Sequence, residues 1–297
     1  MPDRAAAPVE VELFRPRGPI RWRRWLGLSL PGSIALVFLL AGALADVLAP
    51  HDPTFLDLPA RLVPPVFAGG TWDHPLGTDD LGRDILSGLL HGARISLIVV
   101  AIVVPGAAAI GTLVGMLSGW MGGVTGQILM RITDIQLALP SILFAVLLGS
   151  IFGPSLRNVI IILLIWSWSA YARLVRAEVL SLRERDFVTA SRAAGAGAWW
   201  FMRKHLFPNV VNTIVVIMTM EVAVVILAEA ALSFLGVGVP PGTASWGRMI
   251  TEGRQVMNVA WWPIWLPGLA LLTISLTGNM MGDWLRDLLD PRLRHVR

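Results

Sequence analysis

The sequence predicts an all-α, polytopic membrane protein with six transmembrane helices. Of its 297 residues, 55% are hydrophobic and only 15% are charged, and the mean hydropathy is +0.67. Soluble domains carry about 25% charged residues, so this composition indicates a chain surrounded largely by lipid. Six apolar runs, each long enough to cross a hydrocarbon layer of about 30 Å, alternate with polar segments.

The first span is predicted at residues 28–49, after a tail at residues 1–27 that contains six arginines. A cleaved signal peptide is the alternative, because Ala43-Leu44-Ala45 resembles a cleavage site. The apolar run is longer than the ~7 to 15 residues of a signal core, and five further spans follow it. A retained membrane anchor is therefore the favoured interpretation.

Residues 50–93 form a loop rich in proline and aspartate, with the string HPLGTDDLGRD from His74 to Asp84. Thr78 or Asp79 is expected to cap a short helix within it. The simplest interpretation of this segment is a packed loop at the membrane interface.

The second span is predicted at residues 94–117 and contains Gly111 and Gly115, with Gly119 four residues further on. Small residues on one helical stripe let two helix backbones approach closely inside a membrane. We expect this stripe to pack within the subunit, and a subunit interface is the alternative.

The third and fourth spans are predicted at residues 128–151 and 156–174. Asp134 lies one turn from Arg131 in the third span, which predicts an ion pair between them at the interface.

A polar segment, residues 183–211, separates the fourth and fifth spans. Asp186 is expected to accept backbone hydrogen bonds as an N-cap, and the helix that follows has a face of small residues opposite Arg192. That face consists of Phe187, Ala190, Ser191 and Ala194. A face of this kind suits docking against another protein.

Gly195 and Gly197 permit the positive φ that ends this helix. A second short helix is expected from Ala198 to Leu206, ending before Pro208. The segment is therefore predicted to be a helix-turn-helix elbow at the membrane surface.

The fifth span, residues 210–235, carries two carboxylates. At 1.5 Å per residue Glu221 lies roughly 20 Å from Pro208 and Glu229 roughly 31 Å, so Glu229 should reach the outer interface while Glu221 lies deeper. A charge at the bilayer centre costs about 2.5 to 3.5 kcal/mol. Glu221 is therefore expected either to line a substrate path or to be buried in a hydrogen-bonded structural role.

The sixth span is predicted at residues 262–285, followed by a tail at residues 286–297. Eighteen basic residues fall on the side of the two termini and the elbow, and six on the other side. The positive-inside rule then places both termini and the elbow in the cytoplasm. Because 23 of the 24 basic residues are arginines scattered among apolar spans, they indicate membrane orientation and no nucleic-acid partner.

Several chemistries are disfavoured by what the sequence lacks. There is no cysteine, and the single lysine, Lys204, is followed by His205, so no phosphate-binding GxxxxGK[ST] string exists and ATP must be used by a partner. The five histidines are dispersed along the sequence without an HExxH pattern, so neither a metal site nor catalytic residues are predicted.

Three strings resemble ABC importer permeases of the dipeptide, oligopeptide and nickel type. They are the string from His74 to Asp84, AEAALSFLGVGVPPGTASWG from Ala228 to Gly247, and GDWLRDLLDPRLR from Gly282 to Arg294. Together they spread the resemblance over nearly the whole chain.

The elbow resembles the EAA loop of the same permeases. Thr189, Ala190 and Ser191 occupy the EAA positions, Gly195 the glycine, and residues 206–208 the hydrophobic-proline ending. Thr189 replaces the family's glutamate, which would complete a capping box after the N-cap residue, so one reciprocal hydrogen bond is lost.

The resemblance implies the type I ABC importer permease fold, with a five-helix core at residues 94–285 and a coupling helix in loop 183–209. It implies that the elbow docks on a cytoplasmic ATPase through Asp186, Phe187, Ala190, Ser191, Arg192, Ala194, Gly195 and Pro208. It also implies a second homologous permease, two ATPase subunits or domains that bind ATP and Mg, and an extracytoplasmic substrate-binding protein. The chain itself would bind no cofactor.

Di- or oligopeptides, or a related small solute, are the substrates that this resemblance implies. A permease for nickel or metal chelates is the first alternative. An ion-coupled secondary carrier is the least supported, because it would need several charged groups at the midplane and only Glu221 is predicted to lie deep.

Overall fold

The structure, a computed structural model, describes residues 21–185, 188 and 197–289, which form helices and connecting loops without a β-strand. In chain order the α-helices are α1 (Arg21–Ala43), α2 (Ala45–Leu48), α3 (Ile85–Met121), α4 (Gly123–Ala138), α5 (Ser141–Phe152), α6 (Leu156–Arg183), α7 (Ala198–Phe201), α8 (Phe207–Phe234), α9 (Trp246–Gly253) and α10 (Trp262–Leu289). A π-helical turn, Met202–Leu206, joins α7 to α8. We call the end of the bundle that carries residues 50–84 the loop end, and the end that carries residues 183–209 the elbow end.

Among the described residues, four helices are long and apolar enough to cross a membrane: α3, α6, α8 with the turn before it, and α10. The pair α4 and α5 passes the same test together but is bent by 88°. The shorter apolar stretch of α1, Ser29–Ala43, precedes them. The all-helical membrane fold is thus confirmed, and the predicted count of six spans is compatible with these helices.

The third predicted span is broken rather than straight. Leu139 has an extended backbone (φ −80°, ψ 134°) and Pro140 precedes α5. Proline lacks a backbone N–H and its ring disfavours a helical conformation in the residue before it, so the helix stops and restarts at this point.

The closest helix pair in the bundle is α3 against α6, through the stripe of Gly111, Gly115 and Gly119. A Cβ atom on Gly111 would overlap the Trp168 carbonyl oxygen, and one on Gly115 would lie 2.6 Å from the Ala172 carbonyl oxygen. The backbones therefore approach more closely than any side chain would permit. The structure places this stripe inside the subunit.

Arginines of α6 extend this contact to the elbow end. The Arg183 guanidinium donates a hydrogen bond of 2.7 Å to the Gly119 carbonyl, and Arg176 donates one of 3.2 Å to Gly126. These carbonyls flank a sharp turn between α3 and α4. Arg173 donates to Asp134 of α4 at 2.7 Å. The predicted pairing of Asp134 with Arg131 is therefore wrong, because packing of α4 on α6 brings a different cation to the carboxylate.

Asp84 caps α3 at the loop end, where its Oδ2 accepts hydrogen bonds of 2.8 Å from the Ser87 amide and hydroxyl. Thr78 instead ties the loop together, since its hydroxyl donates to the Ala60 carbonyl and accepts from the Val63 amide. The predicted cap at Thr78 or Asp79 is therefore wrong: the helix begins later than expected.

An ion pair and two indole hydrogen bonds connect the segments at the loop end. Arg94 of α3 donates two hydrogen bonds of 2.8 Å to Asp46 of α2, and the same contact lowers the pKa of that carboxyl. The indole of Trp262 donates to the Thr78 carbonyl at 2.9 Å, and that of Trp246 donates to the Leu89 carbonyl at 3.0 Å. These bonds fasten the 50–84 loop and α9 to the helix bundle.

Candidate translocation surface and coupling elbow

Glu229 of α8 is sealed inside the protein, with 0% of its surface exposed. The Ser233 hydroxyl donates to its Oε1 at 2.8 Å. The hydroxyls of Ser96 and Ser245 flank the same carboxyl, but Oε2 has no partner with hydrogen-bond geometry among the described protein groups. The carboxylate thus lies where α3, α8 and the start of α9 meet.

The predicted position of Glu229 toward the outer interface says nothing about burial, and the sequence did not predict that the side chain is sealed inside the protein. Helix rise places its backbone near the loop end of α8, as predicted, but α9 folds over that end. Gly247 of α9 sits so close to the Ala230 carbonyl that a Cβ atom there would overlap it. The burial of Glu229 thus depends on α9, which lies further along the chain, and helical spacing within α8 alone cannot predict it.

Glu221 lies two turns earlier on α8 and is only partly buried. Its carboxylate is near the Ser167 hydroxyl of α6. Along α8, Glu221 falls between Met220, which lines one groove, and Val224, which lines another.

The groove toward the loop end has a volume of about 320 Å³ and is mostly apolar. Its lining includes Ser141, Leu163, Trp166, Ser167, Val224 and Ala228. The groove toward the elbow end has a volume of about 500 Å³ and is more polar. Its lining includes Glu178, Asn209, Asn212, Thr213, Met220 and Arg286.

On α8 the elbow-end groove is lined by residues between Asn209 and Met220, and the loop-end groove by residues between Val224 and Leu232, so Glu221 falls between the two sets. On α6, Ser167 and Glu178 lie roughly 100° around the helix from the residues that contact the glycines of α3. We call these two grooves, together with Glu221 between them, the translocation surface, as a candidate for the path of a solute.

Sequence reasoning identified Glu221 but missed the polar residues of the elbow-end groove. Asn209, Asn212 and Thr213 share one side of an otherwise apolar helix. A polar stripe at helical spacing inside a membrane-length span is a signal of a water-facing surface, and it was available in the sequence.

The elbow is anchored in the core. Val188 is fully buried and belongs to the same apolar cluster as Trp120 and Leu206. The rings of Trp120 and Phe201 stack with centroids 4.9 Å apart and an interplanar angle of 20°. The described part of the elbow is therefore held against the ends of α3 and α6.

Of the predicted docking residues, only Pro208 is among the described residues; Asp186, Phe187, Ala190, Ser191, Arg192, Ala194 and Gly195 lie outside them. Gly197 is described and does not have a positive φ, so it does not supply a left-handed turn. The proposed end of the first elbow helix at Gly195 stays a prediction.

The predicted end of the second elbow helix before Pro208 is wrong. Trp199–Phe234 is one continuous helical stretch of 36 residues, and Pro208 lies in the first turn of α8. The wider π-helical turn just before it and a hydrogen bond of 2.6 Å from the Asn209 side chain to the His205 carbonyl accommodate the missing N–H. The second half of the elbow and the fifth span thus form one helical stretch.

These features define a class of protein: a polytopic membrane protein with a polar groove along its helices and with the described part of its elbow packed on its core. Residues 111–295 match the family described as binding-protein-dependent transport system inner membrane component, and the chain belongs to this family. It is therefore a multi-pass inner-membrane permease component of an ABC transport system, and not an enzyme.

Curated relatives cover almost the same length. The dipeptide transport system permease protein DppC of Haemophilus influenzae is 42% identical over 266 residues, which span 88% of this chain and 90% of that protein. The di/tripeptide transport system permease protein DppC of Pseudomonas aeruginosa is 44% identical over 270 residues, 90% of this chain and 89% of that protein. A putative peptide transport system permease protein of Brucella suis is 40% identical over 298 residues, 99% of this chain and 95% of that protein.

The two carboxylates of α8 should respond differently to substitution. Glu221→Gln keeps an acceptor for Ser167 and should retain most transport, whereas Glu221→Lys adds a cation to the translocation surface and should lower transport at least tenfold while the complex still assembles. Glu229→Lys, the matched change at the sealed site, should instead lower the amount of assembled complex. Size-exclusion chromatography and uptake by the same preparations measure both effects. Normal transport by Glu221→Lys would contradict the placement of Glu221.

Proposed function

We propose that this chain is one of two homologous permeases of an ATP-driven importer for di- or oligopeptides. The observation that carries the proposal is the sequence identity of 40–44% to peptide permeases along nine-tenths or more of this chain. A family match at the level of the fold would not distinguish one solute from another. Alignment with peptide permeases along nearly the whole chain supports a substrate class shared with them.

The elbow-end groove has the chemistry that a peptide requires. A free peptide carries an ammonium, a carboxylate and amide groups that both donate and accept hydrogen bonds. Glu178 and Arg286 present charges of both signs, and the side-chain amides of Asn209 and Asn212 both donate and accept. Among the residues that line this groove there is no histidine, which disfavours a path for nickel.

The translocation surface is a groove open on one side, so a single chain provides one wall of a path. A second permease with a similar surface would provide the other wall. The apolar sides of α3 and α8 that surround the surface are exposed in the isolated chain and suit contact with that partner or with lipid.

Coupling to ATP hydrolysis is assigned to loop 183–209. Arg183 bonds to the end of α3, Val188 is buried in the core, and the helix after the elbow continues directly into α8. A push on the elbow by an ATPase would therefore move α8, which carries Glu221. In this proposal two partner ATPases bind ATP and Mg, and an extracytoplasmic binding protein delivers the peptide.

The orientation follows from the basic residues: both termini and the elbow face the cytoplasm. Because the chain has no cysteine, single substitutions give clean labelling. We expect Trp72→Cys, at a side chain that is 81% exposed in the loop, to react with an impermeant maleimide added to intact cells. Ser181→Cys, at an exposed position of α6 near the elbow, should react only after permeabilisation. Labelling of Ser181→Cys in intact cells would contradict this orientation.

Reconstitution tests the transport function itself. The test uses proteoliposomes that contain this chain, its homologous permease and both ATPases, with the cytoplasmic face toward the lumen. They should take up a radiolabelled dipeptide only when ATP is enclosed in the lumen and the binding protein is present outside. A Gly195→Val chain should assemble but lose uptake, because a β-branched side chain would be strained in the left-handed turn that the sequence predicts at this position. Gly197→Ala is the control and should retain uptake. Uptake driven by a proton gradient without ATP would contradict the proposal and support a secondary carrier.

A further inference from the structure

Two histidines of the 50–84 loop meet at one carboxylate. The ring centroids of His51 and His74 are 4.6 Å apart. The Nε2 atom of His51 lies 3.8 Å from Oδ1 of Asp73, and the Nε2 atom of His74 lies 3.8 Å from Oδ2 of the same residue. One ligand atom from each of the three residues can be chosen so that all lie within 4.8 Å of one another. The expectation that the histidines are dispersed therefore does not hold in space.

The ring of His74 is held in a fixed orientation from behind. Its side chain is only 8% exposed, and its Nδ1 lies 3.0 Å from Oδ1 of Asp84, whose side chain is 0% exposed. When Nδ1 carries the ring proton, it donates a hydrogen bond to this carboxylate, and the lone pair of Nε2 is then directed toward Asp73. A carboxylate behind an imidazole is the usual outer support of a metal-ligating histidine.

The same support reaches His51. Ser87 donates to Asp84 through its amide and hydroxyl, and its hydroxyl oxygen accepts a hydrogen bond of 3.1 Å from the His51 amide. Asp84 and Ser87 at the start of α3 thus hold the ring of His74 and the backbone of His51. The remaining ring nitrogen of His51, Nδ1, is buried and has no hydrogen-bond partner among the described protein groups.

The distances favour an ion over direct contacts. At 3.8 Å neither histidine forms a hydrogen bond with Asp73, since such bonds extend to about 3.2 Å. Three ligands at about 2.0 Å from a tetrahedral zinc ion are about 3.3 Å apart. Each histidine–Asp73 separation would therefore shorten by about 0.5 Å on binding, and the widest pair of the three ligand atoms by up to about 1.5 Å. Asp73, with 77% of its side chain exposed, is free to move toward the two histidines.

We propose that His51, Asp73 and His74 bind one divalent transition-metal ion of the zinc class, with water as the fourth ligand. Imidazole nitrogens suit zinc, nickel and copper, whereas calcium and magnesium prefer oxygen ligands. The ligands lie in the 50–84 loop and not on the translocation surface, so the ion is a resident of the loop and not cargo. It would fasten the segment after α2 to the turn before α3.

Metal content of the assembled complex tests the site. The complex is purified with a peptide tag that contains no histidine, loaded with Zn²⁺, dialysed, and analysed by inductively coupled plasma mass spectrometry. We expect one Zn²⁺ per wild-type chain, and at least a tenfold lower affinity in His51→Gln and in Asp73→Asn. His91→Gln is the control, because His91 is also at the loop end but bonds to Asp46; it should bind Zn²⁺ as the wild type does.

Cobalt substitution adds a readout that does not depend on stability. Co²⁺ in a site with two imidazoles and a carboxylate should give visible absorption bands that Asp73→Asn shifts or removes. Asp73 is exposed, so this variant should fold normally. The proposal is overturned if the wild type binds no more Zn²⁺ than His51→Gln, or if Asp73→Asn leaves both the zinc affinity and the cobalt spectrum unchanged.

Discussion

Close contact between α3 and α6 is the constraint on which the rest of the structure depends. Glycine at three positions spaced by four residues removes the side chains that would separate the two backbones, and Arg183 and Arg176 continue the contact into the turn after α3. With one side of α6 committed to α3, the side that carries Ser167 and Glu178 is left for the translocation surface. We call this contact between α3 and α6 the seam. It determines which side of α6 faces the grooves and where α6 enters the elbow.

The path and the elbow are then connected by α8. This helix runs without interruption from the elbow, through the π-helical turn, to the sealed carboxylate of Glu229 near the loop end. Glu221 lies along its middle, between the α8 residues that line the two grooves. The two carboxylates of one helix thus have different surroundings: Glu229 is fully buried where α8 meets α3 and α9, and Glu221 is only partly buried.

Features that follow from local pattern could be predicted from the sequence. Hydropathy gave the helical membrane fold, and four-residue spacing identified the glycines of α3. Features that depend on distant segments could not. The burial of Glu229 is completed by α9, the partner of Asp134 comes from α6, and His51 meets His74 because both rest on the cap of α3. The predicted helix end before Pro208 was wrong because a π-helical turn lets the helix continue through the proline, and no sequence pattern indicates such a turn.

The most direct test of this account is a disulfide across the seam. An ideal Cβ atom on Gly119 lies 2.9 Å from the Cβ atom of Val179, within about 1 Å of disulfide geometry, and the chain has no other cysteine. The pair Gly119→Cys with Val179→Cys should cross-link within one chain, as peptide mass spectrometry would show. Gly153→Cys with Val179→Cys, at opposite ends of α6, should not. If the Gly119 and Val179 cysteines stay reduced, or link two differently tagged copies instead, α3 and α6 do not form the seam on which this account rests.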